Sequence, residues 1–109
     1  METNNITNQI VQSIKKDHAD AEVILFGSKA RNDAKEDSDW DILILLNQQI
    51  VNLEDELKIR NNLFDIELAT GANISTFAYS KTDWHNRLKI TPLYKNVIKE
   101  GIILSMNTN

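Results

Sequence analysis

The sequence predicts a small α/β (α+β) fold, in which a short mixed sheet of three to four strands packs against helices. Three observations predict it. Two short segments, residues 22–26 and 39–46, carry the continuous apolar runs 23–26 and 42–46, the pattern of strands covered on both faces. Apolar residues recur at three- and four-residue spacing before, between and after those runs, the period of helices packed on a sheet. The scarce glycines, Gly27, Gly71 and Gly101, each fall at the end of a predicted element. With 109 residues and no linker, repeat or low-complexity tract, the chain is expected to form one domain over residues 1–109.

Each element follows in order. Ile6, Ile10, Val11 and Ile14 recur at helical spacing, so residues 5–17 read as an amphipathic helix. Residues 22–26 form the first strand, which stops at Gly27. Residues 28–38 are polar and rich in turn formers; they predict one helical turn and then a loop. Residues 39–46 form a second buried strand that opens on acids. Leu53, Leu57, Phe64 and Leu68 place an apolar stripe on a helix over about 52–69, ended by Thr70 and a Gly71 C-cap. Residues 73–80 are rich in β-branched and aromatic types and predict a third strand. A helical segment starts near Asp83. Another opens at Thr91, as N-cap, with Pro92 at its first position, and runs to Gly101. Residues 102–106 add a short strand or dock on the core.

Composition narrows the function classes. The apolar fraction, 41%, is ordinary for a globular chain, and no run is long enough to span a membrane. Residues 1–5 lack the basic-then-apolar order of a secretory signal, so the cytoplasm is the expected compartment. With no cysteine there is no disulfide framework and no thiolate metal site. The net charge of −4 argues against a broad basic surface for duplex nucleic acid but not against a small phosphate ligand, which needs a few donors and a metal.

The informative stretch runs from Leu25 to Asp41. Gly27 lies where a buried strand stops and a helical turn begins; without a Cβ it lets a bulky anion approach the backbone. The N–H groups that follow open a helix and are suited to phosphate oxygens, and Ser28 adds a hydroxyl there. Lys29 and Arg31 bring positive charge beside a polyphosphate, Arg31 with bidentate geometry. Asp39 and Asp41 alternate along a strand, so both carboxylates share one face, which continues with Leu43 and Leu45. Two such carboxylates repel unless a cation relieves them. Mg²⁺ does so while keeping waters and substrate phosphate oxygens as its other ligands.

A lone Gly-Ser is usually an ordinary turn, and a lone Asp-x-Asp is usually a solvated strand end. Here Gly-Ser follows one buried strand, Asp-x-Asp opens the next, and a ten-residue polar spacer, residues 29–38, separates them. That arrangement resembles the signature of the polymerase-β-like nucleotidyltransferase superfamily in its minimal, single-domain form. The preceding helix and strand fit it. So do the Ser38-Asp39-Trp40-Asp41 wording and the closing Tyr94 to Gly101 segment, which ends in Glu100-Gly101 before a last apolar strand. The resemblance covers most of the chain and implies the nucleotidyltransferase fold. It implies Asp39 and Asp41 as catalytic metal ligands, Gly27 and Ser28 as the triphosphate cradle, and Mg²⁺ with a nucleoside triphosphate, ATP above all, as working ligands. Minimal members are often encoded beside a HEPN-domain toxin, a helical protein. Some act as antitoxins that transfer AMP from ATP to a toxin tyrosine.

The sequence departs from that pattern in one place. Active members usually carry a third carboxylate on the strand after the helix, where this chain reads Asn73-Ile74-Ser75-Thr76-Phe77. Asn73 or Ser75 takes that position, and neither is a general base near neutral pH. Asp65 and Glu67 read as a solvated helix face. His18 and His85 lack ligand spacing; Trp40 reads as core, Trp84 as core or an exposed anchor, and Tyr79 and Tyr94 as half-buried packing. The run Lys35-Glu36-Asp37 reads as a solvated loop.

Three functions compete at this level. The first is an enzyme that moves AMP from ATP to a hydroxyl on a partner protein, as a toxin's antitoxin. The second is a catalytically weak or inactive module of the same fold that neutralises a partner by contact. The third is a general nucleotide-binding α/β domain with no transferase ancestry.

Overall fold

A computed structural model of the chain describes residues 2–35 and 37–104, without the side chains of residues 2–5. The elements are α1 (Glu2–Asp17), β1 (Glu22–Phe26), α2 (Ser28–Arg31), β2 (Trp40–Leu46), α3 (Leu53–Thr70), β3 (Ile74–Ser80), α4 (Lys81–Asn86), α5 (Pro92–Glu100) and β4 (Ile102–Leu104). The four strands form one sheet in the order β3-β2-β1-β4. It is mixed: β1 runs antiparallel to both β2 and β4, whereas β2 and β3 are parallel. The α/β class, the mixed sheet and every strand position agree with the sequence, to within a residue at each strand start.

Helices cover both faces, which is why residues 23–26 of β1 and 42–46 of β2 are unbroken apolar runs. On one face Val23, Leu25, Trp40, Ile42, Ile44 and Leu46 pack against Ile10, Val11 and Ile14 of α1 and Ile59, Leu63 and Ile66 of α3. On the other, Ile24, Phe26, Leu43 and Leu45 pack against Trp84 of α4 and Val97 of α5. Trp84 is core, 2% exposed, with its ring 5.9 Å from that of Tyr79 and 5.0 Å from that of Tyr94. Trp40 is core on the opposite face.

The helix ends follow local chemistry. The Thr91 hydroxyl accepts from the Tyr94 N–H, with Pro92 at the first position of α5. Gly71, at φ 79°, closes α3 in the left-handed region. At its other end α3 carries a capping box, Asn52 with Asp55. The Ser80 hydroxyl starts α4 by accepting from the Asp83 N–H.

Two expectations are corrected. The stripe of Leu53, Leu57, Phe64 and Leu68 does not face the core; those side chains are 69%, 49%, 53% and 68% exposed. Helix α3 carries two apolar stripes on nearly opposite sides, and α1 with the sheet takes Ile59, Leu63 and Ile66. Spacing alone does not say which stripe turns inward. Glu67 is not a solvated side chain either: its Oε2 accepts from the Ile74 N–H at 2.7 Å and ties the last turn of α3 to the start of β3. Asp65 is exposed, as expected. Lys35 and Asp37 are exposed, while Glu36 and residues 105–106 of the expected tail lie outside the described residues. Among the described residues no helix is long and apolar enough to cross a membrane.

Candidate active site

The two halves of the motif meet because β1 and β2 are neighbours. In their register Phe26 sits opposite Asp41, so the residue after Phe26 lies over the Asp41 carboxylate. Gly27 adopts φ 78°, ψ −159°, a conformation open in practice to glycine alone. A Cβ added there would overlap Oδ2 of Asp41 and lie 3.2 Å from its Cγ. The glycine therefore makes the turn and leaves room for the acid.

Asp39 precedes β2 and is exposed; Asp41, within the strand, is half-buried. Strand alternation sends the Asp41 side chain to the face of Leu43 and Leu45, the α4–α5 side. On its other flank Asp41 pairs with Ser75 of parallel β3. The Ser75 hydroxyl donates to Asp39 Oδ2 at 3.3 Å. Asn73 lies outside the strand, where its carbonyl accepts from the Trp40 N–H at 2.8 Å. Of the two alternatives, Ser75 thus stands beside the acids.

The electrostatics suit a cation. Partial burial raises the proton affinity of Asp41, the Asp39 charge raises it further, Arg31 lowers it, and Glu100 adds a smaller raising effect. A carboxylate kept this way beside a second one is stabilised in its charged form by a bound divalent ion. Among the described residues no group of three or more His, Cys, Asp or Glu side chains is placed to hold a metal ion. Two carboxylates are a donor set that suits Mg²⁺, which needs only one or two and completes its shell with water and phosphate.

One residue of the site was missed in the sequence. Glu100, at the end of α5, accepts the Gly27 N–H at 2.7 Å through Oε2. Its two oxygens also accept from Arg31 Nη1, each at 3.1 Å. These bonds and one to Asp33 hold the Arg31 guanidinium more firmly charged. Glu100 is 14% exposed at its side chain and lies 73 residues from Gly27, a separation no motif spacing encodes. The only sequence signal is the Glu-Gly wording before the last strand.

The basic residues are engaged otherwise than a bare phosphate cradle requires. The Lys29 ammonium sits over the Trp40 ring, 4.7 Å from its centroid. Arg31 braces Glu100 and Asp33. Ser28 and Lys29 are the first two residues of α2, so their N–H groups precede any intrahelical acceptor. Among the described residues, His18 and His85 belong to no group of three or more side chains placed to hold a metal ion.

A strand-end glycine turn seated on an Asp-x-Asp pair defines the class, and the sequence comparison agrees with it. The chain belongs to the nucleotidyltransferase domain family, whose model matches residues 7–104. A general nucleotide-binding domain without transferase ancestry is thereby set aside. No curated protein matches the sequence. Among solved structures, the chain is similar to one from a toxin–antitoxin crystallised with AMP-PNP, at TM-score 0.66 and 16% identity, covering 94% of this chain and 74% of that one. It is also similar to chains from two mutants of the toxin–antitoxin MntA-HpeT. One gives TM-score 0.64 at 14% identity, over 94% and 74% of the two chains. The other gives 0.62 at 18%, over 93% and 72%. At these identities the likeness is one of fold.

Proposed function

We propose that this nucleotidyltransferase-fold domain transfers a nucleoside monophosphate, AMP from ATP, to a hydroxyl of a partner protein, with Asp39 and Asp41 holding Mg²⁺. The observation that carries the proposal is the seating of the Gly27 turn directly on the Asp41 carboxylate, which leaves no room for a Cβ between them. The N–H groups of Ser28 and Lys29 donate to triphosphate oxygens, and the Ser28 hydroxyl adds a donor. When bound, the metal supplies positive charge to the triphosphate and to the oxygens that gain charge during transfer. Glu100 holds the Gly27 turn in place, and Arg31, braced by Glu100, stands beside it. The acceptor oxygen bonds to the α-phosphorus and pyrophosphate leaves. The acceptor proton passes to solvent, because Ser75 offers no base. The AMP-PNP complex among the structural neighbours supports ATP as donor, and the toxin–antitoxin neighbours support a protein partner, for which the family resemblance implies a helical toxin of the HEPN type. A cytoplasmic setting goes with ATP as donor.

A second reading keeps the fold and neutralises the partner by contact alone. Ser75 in the position of a third acid favours it. Incubation with radiolabelled ATP, Mg²⁺ and the product of the adjacent gene separates the two. Label on that protein, lost with Asp39→Ala or Asp41→Ala, is the expected result. Neutralisation that survives both substitutions, with no label, overturns the transferase.

A further inference from the structure

Helix α3 turns a second apolar stripe to solvent. Leu53, Leu57, Phe64 and Leu68 are each about half exposed or more, and Ile50 just before the helix is 74% exposed. At 100° per residue the four helical positions fall within a narrow arc, on the side away from Ile59, Leu63 and Ile66. A groove of about 600 Å³ runs beside it, lined by Leu53, Glu54, Leu57, Lys58, Asn61 and Asn62. The spacing is that of a helix face built to receive another helix.

Charge selects the occupant. Asp55 is taken up by the helix cap and Glu67 by the Ile74 N–H, which leaves Glu54, Glu56 and Asp65 as the free acids of α3, against Lys58 and Arg60. Lys58 is drawn off to Asp17 at 3.7 Å. A second copy would lay one acidic border on another. A helix with basic flanks would meet opposite charge. The track also has a direction: its last member, Leu68, lies in the final turn of α3, and Glu67 in that turn is bonded to Ile74, next to Ser75. The stripe therefore leads towards the end of the sheet that holds Asp39 and Asp41.

We propose that the outer face of α3 docks an amphipathic helix with basic flanks, and that this helix belongs to the protein that brings the acceptor hydroxyl. The second clause rests on the transferase reading; the first does not. A partner seated on Ile50 to Leu68 is anchored on the α3 side of the sheet and reaches the acids round its edge. Anchor and acceptor are then separate parts of the partner.

The test uses a synthetic Leu-striped helix of about 18 residues, enough to span α3 at 1.5 Å per residue. Its flanks carry Lys and Arg, and a second peptide replaces them with Glu. The basic peptide is expected to bind the intact chain, to weaken with added salt, and to shift the amide signals of α3. Leu57→Glu/Phe64→Glu should weaken it at least about tenfold, and Leu57→Ser/Phe64→Ser, which adds no charge, by a similar factor. Both variants should keep wild-type circular dichroism and Mg-ATP binding. Asp39→Ala should bind the peptide as the wild type does, so a failed transferase and a failed docking face give different results. Equal binding of both peptides, signal shifts away from α3, or a wild-type dimer that Leu57→Glu/Phe64→Glu dissociates would each overturn the proposal.

Discussion

Replacing Gly27 by alanine tests the link between the turn and the acid more directly than removing either. Two effects add at this position. The backbone, at φ 78° and ψ −159°, lies where an L-residue is strained by about 1–3 kcal/mol. The new Cβ also overlaps Oδ2 of Asp41 and must push the carboxylate aside. Only the second effect depends on Asp41, so a double-mutant cycle isolates it. Gly27→Ala alone should destabilise by about 2–4 kcal/mol once at least about 1 kcal/mol of overlap is added to the strain. In an Asp41→Ala background the overlap is gone and only the strain remains, so the coupling should be about 1 kcal/mol or more. Gly71→Ala is the control: φ is 79° there, with nothing within 4 Å of the added Cβ, so it should lose about 1 kcal/mol and show no coupling to Asp41. Urea unfolding of each variant at one temperature measures these values. Calorimetry with Mg-ATP should find binding lost in Gly27→Ala and retained in Gly71→Ala. A Gly27–Asp41 coupling within about 0.5 kcal/mol of zero refutes the reasoning, because the two residues would then not share their space.

Three further outcomes follow from the same site. Glu100→Ala removes the acceptor of the Gly27 N–H and should lower stability by about 1–3 kcal/mol in urea unfolding, whereas Glu100→Gln, which keeps an oxygen there, should lose less. Asp41 has a higher proton affinity folded than unfolded, so its contribution to stability is present below the ordinary value of 3.8 and is lost as pH rises through the raised one. Metal-free Asp41→Asn should therefore melt higher than wild type near neutral pH and lose that advantage in acid; added Mg²⁺ should stabilise wild type and not the variant. Ser75→Asp places a third carboxylate opposite Asp41 and should raise Mg²⁺ or Mn²⁺ affinity roughly tenfold, with a matching gain in transfer to the partner; unchanged affinity would show that position 75 does not face the metal.

What the sequence made legible was whatever depends on neighbours along the chain. The strands at 22–26 and 40–46 announce themselves through the apolar runs 23–26 and 42–46, because both faces of the sheet are covered. Thr91-Pro92 and Gly71 mark helix ends through their own backbone preferences. The meeting of Gly27 and Asp41 was legible once those strands were adjacent, since a strand-end turn and a strand-start acid then fall at one edge. The choice between Asn73 and Ser75 needed the register of β3 on β2, which no pattern within either strand fixes. Glu100 needed α5 to return over β1, a contact made across 73 residues. The inward face of α3 was misread for a related reason. Two stripes of similar apolarity leave the helix with no single preferred side, and packing against α1 decides between them.

That ambiguity has a physical consequence. A helix needs only one apolar stripe to hold itself on a sheet, and Ile59, Leu63 and Ile66 already supply it. Four large apolar side chains on the far side add nothing to that anchoring and leave the folded chain with an exposed apolar track, a feature that marks interaction surfaces. The acids, by contrast, lie on the side of the sheet where α4 and α5 pack. The proposed transfer site and the proposed docking track thus lie on opposite faces of one four-stranded sheet. They come together only at its edge, where the last turn of α3, the start of β3 and the start of β2 lie side by side. On that reading a partner held on the α3 track is gripped on the face opposite the acids, so docking and Mg-nucleotide binding should be lost independently of each other.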